Sequence, residues 1–190
     1  MSIMTKPDIT KIVELKPVTL DDLASVRYVH KASFVALCGA NHSEEEVQAH
    51  MDMVNSKQYV DLILANNMYC AWMGNEIVGT AGWSPADDSG HTARINLVCV
   101  RPMFNNLGIG RLLIRNSELR AKSAGFYDYS VRSNINAVPF YQLQGYSISS
   151  HGIMHTRMKI DLPVAFMRKF GVPVNENFPR QEREPVYLRA

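Results

Sequence analysis

Cysteine is scarce in this sequence. The chain has three cysteines in 190 residues, Cys38, Cys70 and Cys99, an odd number at wide and irregular spacing. The C-x-x-C and paired-histidine patterns of zinc and redox sites are missing, and no second ligand stands at metal spacing beside a histidine. We therefore expect reduced thiols and no bound metal.

Long hydrophobic runs are also missing. No stretch approaches eighteen consecutive apolar residues, and residues 1–11 hold no apolar segment of the secretory type. The sequence therefore predicts neither secretion nor a membrane span, and together with the isolated cysteines it predicts a cytoplasmic protein.

An excess of charge of either sign is absent as well. Lysine and arginine number 20 against 18 acidic residues, and the basic residues are scattered rather than clustered. This distribution gives no electrostatic footprint for nucleic acid, so we expect no nucleic-acid partner. No repeat or low-complexity run is visible, and 46% apolar residues are enough for a core. The length fits one globular domain, with room for a terminal extension.

The first half of the chain alternates helical and extended patterns. Alternating apolar residues predict a strand over 11–18. A helix follows from the cap at Thr19 to about Leu37, and a second begins after Ser43, whose hydroxyl can cap it. The apolar runs 68–73 and 76–83 are joined by two residues of turn type, which predicts a β-hairpin.

The second half continues as a mixed α/β pattern. A helix after two glycines has an apolar face and ends at Gly125. The predicted elements are a fourth strand over 93–100, this helix over 110–124, a strand over 127–132, a short helix over 137–144, and a final strand pair over 146–148 and 154–162.

Proline is concentrated beyond residue 162. Four of the nine prolines, Pro163, Pro173, Pro179 and Pro185, lie in this last part of the chain. We therefore divide the chain into a domain over 1–162 and a loop-like tail over 163–190, in which 164–170 could form a helical turn. Apolar side chains in the tail suggest that it packs either on its own domain or on another subunit, which would be a homodimer.

The most informative segment joins the fourth strand to the helix after it. A seven-residue bend, 101–107, leads into Gly108, Ile109 and Gly110. A helix N-terminus offers unpaired N–H groups, and glycines let phosphate oxygens approach the backbone, so the segment suits a diphosphate. A P-loop would need Gly-Lys-Ser or Gly-Lys-Thr, and a dinucleotide fold would need a third glycine without the bend. A simple capped helix start is the other interpretation of this segment alone.

A second segment changes the interpretation of the first. About 25 residues further on stand Asn134, Ala137, Phe140, Tyr141 and the pair Gly145-Tyr146. The two segments together resemble the GNAT superfamily of N-acetyltransferases, in which a strand leads to a [Q/R]-x-x-G-x-[G/A] loop and helix, followed by a motif of this second type. The second motif fits at every fixed position, whereas Asn105 stands where the family usually has Gln or Arg.

The resemblance covers roughly residues 12–162 and implies a fold and a cofactor. The fold is a central mixed, mostly antiparallel sheet flanked by helices on both faces. The co-substrate is acetyl-coenzyme A, with Arg111 a candidate to compensate for Asn105. The implied coenzyme-binding residues are Val98, Cys99, Val100, Asn105, Asn106, Leu107, Gly108, Ile109, Gly110, Arg111, Asn134 and Tyr141.

The resemblance also implies a mechanism. A neutral amine attacks the thioester directly in a ternary complex, and backbone N–H groups near Val98 and Val100 hold pantetheine and polarise the carbonyl. Tyr141 stands at the family's position for the proton donor to the leaving sulfur. Two alternatives stay open: Tyr141 packs its helix on the sheet with a merely satisfied hydroxyl, and Asn134 caps the following helix instead of contacting coenzyme.

The acceptor side is less defined by the sequence. Trp83, Asp87, His91 and Asn96 are candidate acceptor residues, and Asp87, Asp88, His91 and His151 are candidate bases. An ordinary solvated turn is the simpler interpretation of Asp87 and Asp88. The acceptor is a small-molecule or peptide amine. The alternative function is a coenzyme A-binding or sensor module of the same fold without efficient turnover.

Overall fold

The computed structural model describes residues 9–38, 43–86, 90–155 and 161–171. Five α-helices are present in this part of the chain: α1 (Leu23–Cys38), α2 (Glu44–Asn55), α3 (Lys57–Leu64), α4 (Ile109–Ser123) and α5 (Val138–Leu143). The strands are β1 (Val13–Pro17), β2 (Tyr69–Met73), β3 (Glu76–Pro85), β4 (Thr92–Val100), β5 (Asp128–Asn134), β6 (Ser147–His155) and β7 (Asp161–Phe170).

The seven strands form one sheet in the order β1-β2-β3-β4-β5-β7-β6. Every neighbouring pair is antiparallel except β4 and β5, which are parallel. The chain between β4 and β5 contains α4, as a parallel connection requires. The predicted mixed fold with a mostly antiparallel sheet is therefore confirmed.

Helices cover both faces of the sheet because neighbouring strand residues point to opposite sides. Cys70 and Ile77 pack with α1, α2 and α3, whereas the next residues, Ala71 and Val78, pack with Ile109 and Leu113 of α4. A third buried cluster joins the C-terminal half of α4 to β5, β7 and Tyr141. The core thus lies in two layers, one on each side of the sheet.

The sequence pattern predicted the β2–β3 hairpin and α4 most accurately. Gly74 has φ of 59° in the hairpin turn, a conformation that glycine adopts without steric cost. Gly125 follows the C-cap residue Ala124 of α4 and has φ of 87°, as expected for a helix terminated by glycine.

Two elements differ from the prediction. Helix α3 was not predicted, although Ser56 caps it by accepting a hydrogen bond from the Tyr59 amide at 3.2 Å. The sequence predicts the last strand at 154–162, whereas β6 extends to His155 and β7 begins only at Asp161. The predicted loop or helical turn at 164–170 is wrong, because these residues pair with β5 and β6 inside the sheet. The rest of the predicted tail, 172–190, lies outside the described residues.

Membrane insertion through helices finds no support in the described ranges. None of the helices there is both long enough and apolar enough to cross a bilayer.

Candidate active site

The parallel pair β4 and β5 separates after a short contact. Their pairing covers only residues 92–94 of β4, opposite 128–130 of β5. Beyond this point β4 continues to Val100 beside β3 alone. The separation opens the sheet between the two strands and gives access to the backbone of β4.

A β-bulge lies in the separated part of β4. Gly82 pairs with Asn96 and Thr80 pairs with Cys99, so Leu97 and Val98 together face the single residue Ala81. Leu97 has φ of 54°, which is unusual for a branched residue and is typical of a local irregularity with a structural cause. A bulge of this kind changes the direction of the peptide groups in its strand.

A cleft of about 750 Å³ lies at this opening and extends to the start of α4. It brings together eight of the predicted coenzyme residues: Val98, Val100, Asn105, Asn106, Leu107, Gly108, Gly110 and Arg111. Its other lining residues were not among the predicted coenzyme residues; they are Thr10, Ser33, Ala36, Leu37, Phe104, Asn136, Ala137, Phe140 and Gln144.

The N-terminus of α4 opens into the cleft without a side-chain cap. Gly108 precedes the helix with φ of 84°, and its carbonyl accepts the first helical bond, from the Leu112 amide. The amides of Ile109, Gly110 and Arg111 precede the first helical donor, so they have no carbonyl within the helix to bond. Three N–H groups and the positive end of the helix dipole therefore converge where an anion would bind.

Small residues are required at this helix start for steric reasons. A Cβ atom on Gly110 would lie 3.0 Å from Phe140 Cζ, and one on Gly108 would lie 3.0 Å from Thr10 Cγ2. The glycines thus keep the backbone accessible between α5 and the N-terminal segment. The exposed Arg111 side chain adds a positive charge at the same place.

Arg101 anchors the bend that precedes Gly108. Its backbone amide donates to the Val78 carbonyl at 2.9 Å, and its guanidinium donates to Glu76 at 2.7 Å. The guanidinium also lies over the rings of Tyr28 and Phe104, at 5.2 and 5.3 Å. These contacts attach the bend to β3 and α1. They therefore hold the backbone that leads into the start of α4.

The opposite wall of the cleft is built by the turn before α5. The Asn134 side chain accepts a hydrogen bond from the Asn136 amide at 2.9 Å, so Asn134 caps this turn. The Asn136 side chain in turn donates to the Leu37 carbonyl at the end of α1, at 2.9 Å. Asn134 therefore shapes the wall, and its predicted contact with coenzyme stays a prediction.

This arrangement matches a known sequence family. A model of the acetyltransferase (GNAT) domain matches residues 38–162, more than half of the chain. The chain belongs to the GNAT acetyltransferase family. The match includes the separated strand pair, the bend and the turn before α5, whereas the lining residues Thr10, Ser33, Ala36 and Leu37 precede it.

Relatives of this GNAT chain support the same fold. The uncharacterized protein YyaT of Bacillus subtilis is 32% identical over 80 residues, which are 42% of this chain and 52% of YyaT; the chain thus spans about half of that relative. The crystal structure of a GCN5-related N-acetyltransferase from Rhodopseudomonas palustris aligns with a TM-score of 0.72 at 21% identity, covering 90% of this chain and 99% of the other. The PaiA N-acetyltransferase of Thermoplasma acidophilum, solved in complex with coenzyme A, aligns with a TM-score of 0.68 at 17% identity, covering 83% and 98%.

Tyr141 of this GNAT domain lies on α5, next to the lining residue Phe140, but it is buried in the core and is not itself among the residues that line the cleft. Its ring packs against Phe140 and Tyr146, with centroid distances of 5.1 and 5.7 Å. Burial raises the pKa of its phenol above the ordinary value, and the nearby Cys99 adds to the rise. The group therefore stays protonated at neutral pH.

Cys99 lies in the wall between β4 and α1 rather than in the cleft lining. Burial raises the pKa of its thiol to about 12, although a hydrogen bond with Ser33 acts in the opposite direction. Ile109 is also outside the lining, as are Asn134 and Tyr141, and it is fully buried under β3. Neither the Cys99 nor the Ile109 side chain is among those that line the cleft.

The candidate acceptor residues do not share one place. Trp83 is buried against Phe126 and borders a second cavity beside α4, away from the main cleft. The Asn96 side chain donates to Asn66 at 2.6 Å and to Ser84 at 3.0 Å. His91 is exposed at the start of β4 beside the ring of Tyr127. Asp87 and Asp88 lie outside the described residues.

Ionisable side chains are few around the cleft. Among the described residues that line it, Arg111 is ionisable and no Asp, Glu or His is present. Within the described ranges, no group of three His, Cys, Asp or Glu side chains is placed to hold a metal ion.

The buried thiols predict a loss of stability in alkaline solution. The pKa of Cys70 is raised by burial to about 12, as is that of Cys99. From about pH 9 the unfolded chain releases these protons while the folded chain keeps them, so the free energy of unfolding falls as pH rises toward 12. Denaturant unfolding followed by circular dichroism between pH 7.5 and 11 measures this slope. Cys70→Ala should make it shallower by up to about 1.4 kcal/mol per pH unit, and equal slopes would contradict the assignment.

Proposed function

We propose that this chain transfers an acetyl group from acetyl-coenzyme A to the amino group of an acceptor. The observation that carries the proposal is the uncapped start of α4 in the main cleft, where three amides, two glycines and Arg111 converge. A diphosphate fits this geometry because its oxygens accept from N–H groups and need close approach to the backbone.

The shape of the site is consistent with a coenzyme that runs from α4 toward the bulge. The diphosphate end would rest on Gly108, Gly110 and Arg111, with Asn105 and Asn106 exposed beside it. The peptide groups around Val98 and Val100 lie where β4 has left β5 and would hold the pantetheine arm. When bound, acetyl-coenzyme A supplies an activated thioester, and the residues of the chain orient it and manage protons.

Tyr141 is the proposed proton donor to the leaving sulfur. Burial keeps this phenol protonated at pH 7, so Tyr141 carries a proton for the leaving sulfur, although the raised pKa makes it a weaker acid than a free phenol. Phe140, its neighbour, contacts the α4 start through Gly110. The motif thus links coenzyme binding and proton donation in one short helix.

Direct transfer fits the site better than a covalent acetyl-enzyme. Cys99 is the thiol beside the cleft, and a pKa of about 12 leaves it almost entirely protonated at neutral pH. Because a thiolate is the nucleophilic form, Cys99 is a poor acetyl acceptor. The amine therefore attacks the thioester itself. With no acidic or histidine side chain among the described lining residues, a water is the proposed route for the proton of the amine.

Calorimetry and thiol detection test this function. Coenzyme A should bind with measurable heat, and acetyl-coenzyme A should release free thiol faster with at least one amine than without any amine. The panel should include a polyamine, a lysine peptide, an N-terminal alanine peptide and an aminoglycoside. Absence of binding heat from folded protein would overturn the proposal. Binding without amine-dependent release would support the sensor alternative instead.

The cytoplasmic location and a homodimer remain parts of this proposal. Cys70 and Cys99 are free thiols in the described part of the chain, which is consistent with a reducing compartment. The acceptor that we propose is a small-molecule or peptide amine, with neither nucleic acid nor a membrane as partner.

A further inference from the structure

A buried chain of hydrogen bonds connects α3, α1, β3 and β4. The Tyr59 hydroxyl bonds to His30 Nδ1, His30 Nε2 bonds to Thr80 Oγ1 at 2.7 Å, and Thr80 Oγ1 bonds to the Leu97 carbonyl at 2.9 Å. Tyr59, His30 and Thr80 are 2%, 4% and 0% exposed. Three polar side chains are thus placed in the core to reach one backbone group.

The Leu97 carbonyl, at the end of this series of hydrogen bonds, determines which group donates and which accepts in each bond. A carbonyl only accepts, so the Thr80 hydroxyl donates to Leu97 and must accept from His30 Nε2–H. In the neutral imidazole, Nδ1 then accepts from the Tyr59 hydroxyl. The chain ends on a peptide carbonyl that cannot pass a proton on, so it orients a group and does not conduct protons.

The oriented group is the peptide bond of the β4 bulge. Leu97 has a positive φ, which costs an ordinary L-residue about 1–2 kcal/mol. The hydrogen bond from Thr80 is an interaction in the structure that can offset this cost, because it holds the Leu97 carbonyl in its turned position. Without this hydrogen bond, a regular extended conformation would be the less strained backbone for β4.

The same bond determines where the Val98 amide points. In a trans peptide the carbonyl of one residue and the N–H of the next point in opposite directions. A Leu97 carbonyl held at Thr80 therefore turns the Val98 N–H away from Thr80. Val98 lines the main cleft, in the part of β4 that is no longer paired with β5.

We propose that Tyr59, His30 and Thr80 are positioning residues that hold the Leu97–Val98 peptide so that the Val98 N–H faces the acyl carbonyl of the bound thioester. This inference rests on the proposed function and adds to it the side chains that orient the amide polarising the acyl carbonyl. The three residues act through the backbone and do not contact the substrate.

Thr80→Val and Thr80→Ser test the inference together. Valine keeps the branched shape but removes the hydroxyl, so kcat with acetyl-coenzyme A should fall about 10- to 100-fold. Serine restores the hydroxyl and should keep kcat within about threefold of the wild type. The dissociation constant of coenzyme A, which lacks the acyl carbonyl, should change by less than about threefold in both variants.

Tyr129→Phe is the matched control. Its buried hydroxyl also donates to a backbone carbonyl, that of Glu118 at 3.1 Å, but it lies away from the bulge. This variant should lose thermal stability without losing kcat at a temperature where it is folded. An equal loss of kcat in Tyr129→Phe and Thr80→Val would show that general loosening, not positioning, explains the effect and would overturn the inference.

The affinity for acetyl-coenzyme A divided by the affinity for coenzyme A tests this inference separately from the proposed function. If the wild type binds coenzyme but does not turn over, the proposed function fails, yet the affinity of acetyl-coenzyme A relative to coenzyme A still reports a bond to the acyl carbonyl. Thr80→Val should lower this ratio about three- to tenfold. An unchanged ratio, or unchanged kcat in an active enzyme, would overturn the positioning role. Nitrogen-15 NMR of His30 should show the neutral Nε2–H tautomer, and a protonated Nδ1 would contradict the chain of bonds.

Discussion

Replacing Tyr141 by phenylalanine is expected to lower kcat by about 10²- to 10⁴-fold in the proposed transfer, the usual contribution of a positioned acid. The ring would still fill its place against Phe140 and Tyr146. Because only the hydroxyl is lost, the dissociation constant of coenzyme A should stay within about threefold of the wild type. Single-turnover thiol release and calorimetry on the same preparation measure the two quantities.

Tyr146→Phe is the control for Tyr141→Phe. Tyr146 is also a buried phenol of this cluster, and its hydroxyl donates to Glu118 at 2.9 Å. Its loss should lower the free energy of unfolding by about 1 kcal/mol and leave kcat nearly unchanged. Undiminished turnover in Tyr141→Phe would refute the proton-donor role, whereas a similar drop in both variants would assign the effect to packing.

Gly108→Ala is expected to raise the dissociation constant of coenzyme A by at least about tenfold, the equivalent of 1.4 kcal/mol. Gly108 has φ of 84°, and a Cβ atom there would lie 3.0 Å from Thr10 in the cleft. The backbone must shift to relieve both the strain and the contact. The amides at the start of α4 would then move from the positions that bind the diphosphate. Isothermal titration with coenzyme A measures the change.

Gly74→Ala is the control for Gly108→Ala. It separates the effect of backbone strain from the effect of moving the amides at the start of α4. Gly74 also has a positive φ, of 59°, but an added Cβ would meet nothing within 4 Å. Its substitution should cost stability of about 1 kcal/mol at the β2–β3 turn without affecting coenzyme binding. If Gly108→Ala bound coenzyme as tightly as Gly74→Ala does, the diphosphate would have to lie elsewhere.

The parts of the fold that the sequence predicted are those encoded locally. The β2–β3 turn, the apolar face of α4 and the glycine after it are each determined by residues a few positions apart. The bend before Gly108 and the motif around Tyr141 were also visible, because the family keeps fixed spacings there. Local patterns therefore located the two ends of the cleft.

The elements that were missed depend on distant partners. Helix α3 has only eight residues, and its buried side chains Tyr59 and Ile63 pack on β2 and α1. In β7, Pro163 argued against a strand. Pro163 pairs with β6, but the pairing with β5 begins only at Val164, so a missing N–H is tolerated at this position. Neither arrangement can be inferred from neighbours in sequence.

The site shows the same division between local and distant information. The bond from Asn136 to Leu37 joins residues 99 positions apart, and Ser33 and Ala36 reach the cleft only because α1 crosses β3 and β4. The chain from Tyr59 to Leu97 likewise needs four elements to meet. The spacing of residues within a motif gives no information about such contacts.

The position of β7 has a consequence for synthesis on the ribosome. β7 is the last described strand to be translated, yet it lies between β5 and β6, and β6 pairs with no other described strand. The N-terminal strands β1 to β4 can pair as they emerge, whereas β6 must wait for residues up to 170 to leave the exit tunnel. The two sides of the cleft therefore fold at different times during translation. A nascent chain halted before residue 161 would expose the unpaired edges of β5 and β6, which are prone to aggregate.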